Sequence, residues 1–233
     1  MATSARHYGQ GGLQQMALTL VIGNKNYSSW SMRPWLALKA SGIAFEEVLL
    51  PLYVGDAGKQ RILGYTPSGK VPVLIDGDVT VWDSLAIIEY LAEIFPDKKL
   101  WPADRAARAH ARAISAEMHS GFAALRNECG MNLHRPVGAK SLSDAARADI
   151  ARVQQIWSDC RNRHGGSGPY LFGGFSGVDA MYAPVVHRFR TYAIEAAPAV
   201  RDYMGTMSEL PAFAEWTKAG LAETLVIEKF END

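Results

Sequence analysis

Asn26-Tyr27-Ser28-Ser29-Trp30-Ser31-Met32-Arg33-Pro34-Trp35 is the stretch that decides how this chain is read. Leu18 to Ile22, just before it, is an apolar run that reads as a strand. Trp35-Leu36-Ala37-Leu38-Lys39-Ala40, just after it, reads as a helix that stops at Gly42. Three closely spaced serines therefore stand where a strand turns into a helix N-terminus. Backbone N–H groups point outward there, and negative charge is stabilised. Serine is also a common helix cap, but a helix needs one cap and not three. Capping and ligand binding both stay open on this stretch alone. Pro34 is expected near the first turn, where its missing N–H costs little.

Working outward, Phe45–Leu50 reads as a second strand, completing a βαβ unit. Residues Gly55 to Gly69 read as a loop with at most one short helix. Val71–Ile75 reads as a third strand with Pro72 at its start, which suggests an edge or a special turn. Asp76-Gly77-Asp78 is a hairpin signal, and Val79–Trp82 follows as an antiparallel strand. Asp83-Ser84 then starts a helix with Leu85, Ile88, Leu91 and Ala92 on one stripe. Beyond Pro96 to Pro102 strand signals nearly vanish. Asp104 to about Glu128 reads as one helix. Ser143 caps another that carries Ile150, Val153, Ile156, Trp157 and Cys160. Ser176 to Asp179 resembles a capping box with Asp at the third position. The helix after it contains Pro184, so a kink or a short first segment is expected. Pro198 and Pro211 each open a further short helix.

The 233 residues suffice for one large or two small domains. Lys plus Arg equals Asp plus Glu at 24 each, which argues against a nucleic-acid or anionic-membrane partner. No apolar run reaches the ~20 residues of a membrane helix. Residues 1–16 are mostly polar, lack a signal peptide's apolar region and read as a disordered or tag-like extension. Gly64 to Val71 nearly matches a nucleotide-binding loop. Val71 stands where a magnesium-binding hydroxyl is required, and a strand follows rather than a helix. The six histidines show no metal-ligand spacing, so no metal is expected. Cys129 and Cys160 form no CxxC pair and read as buried, reduced thiols.

The order β-α-β, then β-β-α, then helices, with a Val-Pro opening the third strand, resembles the cytosolic glutathione transferases over Leu18 to Lys229. Ser28-Ser29-Trp30-Ser31-Met32-Arg33 is similar to the serine motif of the zeta and tau classes. Gly69 to Leu74 is similar to the family's cis-proline segment, Asp83 to Leu91 to the start of its third helix, and Ser176 to Asp179 to its capping box. The resemblance implies a thioredoxin-like β-α-β-α-β-β-α domain over 17–98, followed by an all-helical domain over 104–233 that forms the electrophile site.

It also implies roles. Ser28 would donate to the glutathione sulfur and favour the thiolate, with Ser29 a spare donor and Ser31 a cap. Val71 would pair its backbone with the tripeptide as an added strand, turned toward it by a cis Pro72. Asp83 would accept from the γ-glutamyl ammonium, Ser84 would meet the γ-glutamyl carboxylate and Lys70 the glycyl carboxylate. Trp30, Phe122, Met131 and Asn132 are the candidate walls for a small hydrophobic electrophile. The zeta motif has Cys where Trp30 stands, which weighs against maleylacetoacetate isomerisation and would narrow the site. Conjugation is thus expected over isomerase, peroxidase or dehalogenase chemistry and over a non-catalytic binding module. No cofactor beyond the co-substrate glutathione is implied, and a cytoplasmic homodimer is.

Overall fold

The computed structural model describes residues 18–231; the 1–16 extension read from sequence lies outside them. Strands β1 (Leu18–Ile22) and β2 (Phe45–Leu49) pair in parallel, with α1 (Ser29–Ala40) crossing between them. A parallel pair needs such a crossover, and a helix supplies it. After α2 (Gly55–Leu63) come β3 (Val73–Asp76) and β4 (Val79–Trp82), a hairpin turning at Gly77. β3 runs antiparallel to β1, giving the order β2-β1-β3-β4. Helix α3 (Ser84–Ile94) closes this half. Side chains alternate across the sheet. Leu20, Ile22 and Leu74 join Met32, Leu36 and Ile88 in the main core, while Val21 and Val73 pack with Ile62 of α2 on the other face.

Three expectations shift here. β3 starts at Val73, so the cis Val71–Pro72 bond lies ahead of the strand, and β3 is internal rather than an edge. The proline's missing N–H therefore falls outside the ladder. Pro34 lies inside α1 beyond its first turn, because the helix already begins at Ser29. Ser31 is not the cap: Ser28 is, its hydroxyl oxygen accepting from the Ser31 N–H.

The helical half comprises α4 (Arg105–Ser120), α5 (Ala123–Glu128), α6 (Asp144–His164), α7 (Gly177–Thr191), α8 (Pro198–Glu209) and α9 (Pro211–Leu221). The single helix expected over Asp104–Glu128 breaks between α4 and α5. Gly121 is extended and Phe122 left-handed, with φ 57°. A Cβ at Gly121 would stand 2.7 Å from the Glu117 carbonyl oxygen, so the reversal needs glycine. α7 runs through Pro184 without splitting. Gly177 to Phe189 is wholly buried, and packing against α1 and α4 offsets the lost hydrogen bond. Its capping box is formed: the Asp179 carboxylate accepts from the Ser176 N–H at 2.8 Å and from the Ser176 hydroxyl at 3.0 Å.

The two halves share one continuous core, with α1 laid against α7 and α9. The loop leading to Ser28 is held from the helical half. The Glu223 carboxylate accepts from the Lys25 N–H (2.6 Å) and the Asn26 N–H (3.0 Å), and Trp216 Nε1–H donates to the Lys25 carbonyl (3.1 Å). After α9 the chain returns to the same place, where the Tyr27 hydroxyl donates to Glu231 and accepts from the Ile227 N–H.

Candidate active site

A cavity of about 1080 Å³ opens where these elements meet. Ser28 and Trp30 reach it from the start of α1, Lys70, Val71 and Pro72 from the turn before β3, and Asp83 and Ser84 from the start of α3. Tyr53 and Lys59 line it from the loop after β2 and from α2, and His119 from the last turn of α4.

At Ser28 the hydroxyl donates to the Ser31 hydroxyl oxygen at 2.8 Å, which also accepts from the Gly23 N–H at 3.0 Å. Ser29 does not line the cavity. Its hydroxyl oxygen accepts a long 3.4 Å contact from Arg188 Nη2. Asp83 caps α3, with Oδ1 accepting from the Leu85 N–H at 2.9 Å. Its φ of 80° is unusual for a residue with a Cβ, the kind of strain that collects at ligand sites. Oδ2 faces His119 Nε2 at 3.2 Å. The Ser84 hydroxyl is buried and has no hydrogen-bond partner among the described residues, although such groups are nearly always paired. So two helix N-termini, a hydroxyl donor, an unpartnered hydroxyl and a carboxylate face one cavity. That set suits a peptide-like ligand carrying both an ammonium and carboxylates.

Comparison with known proteins gives the family. The model of the glutathione S-transferase N-terminal domain matches residues 27–94, and that of the C-terminal domain residues 105–219. The chain belongs to the glutathione S-transferase family. It is 31% identical to a probable maleylacetoacetate isomerase of Caenorhabditis elegans, over 79% of this chain and 86% of the relative. It is 30% identical to glutathione S-transferase Z1 of Arabidopsis thaliana, over 81% and 89%. In fold it is similar to a glutathione transferase homologue from Burkholderia solved with bound glutathione, with TM-score 0.67 and 24% identity over 89% of this chain and 100% of that one.

Within this glutathione S-transferase fold, Ser28, Lys70, Val71, Pro72, Asp83, Ser84 and Trp30 all line the cavity. Phe122, Met131 and Asn132 do not. Phe122 and Met131 are buried in the main core, and the Asn132 amide donates to the Phe230 carbonyl and to Glu231. His119, Lys59 and Tyr53 line it without having been singled out from sequence. His119 comes from the helical half, and nothing in its local pattern ties it to Asp83. Cys129 and Cys160 are buried free thiols, and burial pushes the Cys160 thiol up to about 12.

Near Trp30 lies a group of arginines that the sequence pattern does not bring together. The Arg33 guanidinium sits 4.3 Å from the centre of the Trp30 ring, and that of Arg126 sits 5.4 Å away. Arg188 donates through Nε to the Cys129 carbonyl at 2.8 Å. Burial, then the neighbouring Arg188 and Arg126, pulls Arg33 down to about 9; burial and Arg126 pull Arg188 down to about 10.

Proposed function

We propose that this chain binds glutathione in the 1080 Å³ cavity, holds its sulfur as a thiolate through Ser28, and transfers it to an electrophile beside Trp30. The observation that carries the reading is the placement of Ser28 as both helix cap and cavity wall, in one cavity with Val71, Asp83 and Ser84. The free thiol ionises near ~8.5, so little thiolate exists at neutral pH. Lowering that by two units requires ~2.7 kcal/mol of differential stabilisation. A hydrogen bond to the anion and the positive end of α1 are together of that size.

The Ser28–Ser31 contact adds a detail. To donate to sulfur, the Ser28 hydroxyl must turn away from Ser31. A hydroxyl both donates and accepts, so the Ser31 hydroxyl can then reverse and donate to Ser28. The pair acts as a two-hydroxyl relay ending on the sulfur. Asp83 takes the γ-glutamyl ammonium, the unpartnered Ser84 hydroxyl its carboxylate, and Lys70 the glycyl carboxylate. The backbone of Val71 pairs with the cysteinyl unit. The protein is expected to act as a cytoplasmic homodimer; light scattering reading a monomer at working concentration would refute that part.

The deciding experiment is ultraviolet titration of bound glutathione in the wild type and in Ser28→Ala. A depressed thiol pKa that returns toward the free value in the variant supports the assignment. An undepressed pKa in the wild type refutes activation; a depressed pKa in both moves it to Ser29 or the helix terminus. A second reading, glutathione-dependent isomerisation, is favoured by the relatives named maleylacetoacetate isomerase. Glutathione consumption separates the two, because conjugation uses one equivalent per turnover and isomerisation returns it.

A further inference from the structure

His110 of α4 and His164, the last residue of α6, meet at a place where neither lines the cavity. His110 Nδ1 and His164 Nε2 face each other at 3.3 Å, across 54 residues of sequence. The ring centres are 5.6 Å apart, so the two nitrogens point along the line between the rings. Phe172, in the glycine-rich loop after α6, packs on both. The His164 ring stacks on it at 4.5 Å and 20°, and the His110 ring meets it edge-on at 5.7 Å and 71°. Both histidines are half-buried, so solvent reaches them.

Two imidazoles so placed suit a divalent transition ion. With metal–nitrogen bonds of about 2.0–2.1 Å and a tetrahedral angle, two ligand nitrogens lie about 3.3 Å apart. His164 also stands at the carbonyl end of a 21-residue helix, whose partial negative charge favours a cation. The charges of Arg163 and Asp159, which both act on His110, are opposite in sign. Arg152 is paired with Glu117 at 2.7 Å, and Arg161 is turned onto the Gly168 and Tyr170 carbonyls.

We infer that His110 and His164 bind a divalent transition-metal ion of the imidazole-preferring kind, Zn²⁺, Ni²⁺ or Cu²⁺, and so tie α4 to the end of α6. The ring that donates in the free pair passes its proton through solvent to its outer nitrogen. Both rings then tilt until their lone pairs meet at the ion. No group of three or more His, Cys, Asp or Glu among the described residues could hold a metal, so water fills the other positions. Oxygen-preferring Mg²⁺ and Ca²⁺ do not suit such a pair. Histidine spacing along the chain gives no sign of it, because packing alone brings the two together.

The test titrates the full chain with Cu²⁺ or Zn²⁺ alone, without glutathione, whose thiol would compete for the ion. Calorimetry should give one ion per chain, with Cu²⁺ tighter than Zn²⁺ and no binding of Mg²⁺. Affinity should fall by roughly tenfold or more in His110→Gln and in His164→Gln. Electron paramagnetic resonance of bound Cu²⁺ should show two nitrogen ligands in wild type and fewer in each variant. The melting temperature of wild type should rise with Zn²⁺, and that of the variants should not. Melts without the ion show that each variant folds, and either variant suffices if the other does not. Wild type binding no more tightly than the variants overturns the inference, as does an unchanged nitrogen count. Loss of binding in His119→Gln but not in these two would put the ion in the cavity and overturn it as well. None of these readouts depends on Ser28 or on turnover.

Discussion

His187 shows what one buried side chain does to the whole protein. Its ring stacks on Phe213 at 4.2 Å, and its Nε2 lies 3.2 Å from the Thr217 hydroxyl oxygen. That hydroxyl already donates to the Phe213 carbonyl, so Nε2 carries the proton and donates. Burial holds the imidazole neutral and lowers its pKa to about 3. The unfolded chain, with a pKa near 6.5, binds the proton more readily across that interval. The stability is therefore complete above pH 6.5 and lost as pH falls toward 3. Between pH 7 and pH 5 the loss is about 2 kcal/mol. Asp179, whose pKa burial raises to about 6, gains stability over the same interval in either protein. In urea titrations the change from pH 7 to pH 5 should therefore be about 2 kcal/mol less favourable in wild type than in His187→Phe; equal changes in the two would refute it. Ser31 makes a second residue-scale case. Ser31→Ala leaves the buried Gly23 N–H without its acceptor and removes the relay to Ser28. It should cost about 1–3 kcal/mol of stability and raise the bound thiol pKa by less than Ser28→Ala does. Ser28, Asp83 and Ser84 were legible because short motifs at helix starts carry their chemistry locally. His119 and the three arginines were not, since only packing of distant segments brings them together.

Among the elements, the sheet and its first crossover helix follow directly from hydrophobic periodicity. β1 falls at Leu18–Ile22 and α1 ends at Ala40, where the pattern places them. Local pattern misleads where tertiary packing overrides it: at Gly121, which splits α4 from α5, and at Pro184, which α7 absorbs. α9 shows such packing at the site itself. A Cβ at Gly220 would lie 2.4 Å from Leu133 Cδ1, and 3.2 Å from both the Asn26 N and the Lys25 carbonyl carbon. The leucine can move; the backbone of the loop leading to Ser28 yields less readily. Gly220→Ala should destabilise by about 1–3 kcal/mol and weaken glutathione binding as well. Thermal melts with and without glutathione check this: a variant stabilised by glutathione as strongly as wild type would separate α9 from the site.

For the whole molecule, the sequence places the two halves at 17–98 and 104–233, yet they share a single core. Met32, Trp35 and Leu38 of α1 lie in the same cluster as Val178, Val185 and Trp216. Residues 17–98 expressed alone should therefore expose a large apolar face, aggregate or remain unfolded, and fail to bind glutathione. A soluble fragment that binds glutathione, seen by calorimetry, would contradict this.

The anchoring of Lys25 and Asn26 by Glu223 and Trp216 also constrains how such proteins can diversify. When homologues are recombined by exchanging their helical halves, the new half brings its own supports for the serine loop. If Ser28 holds the thiolate as proposed, such an exchange would alter the support of the serine loop and the cavity wall that His119 supplies in one step.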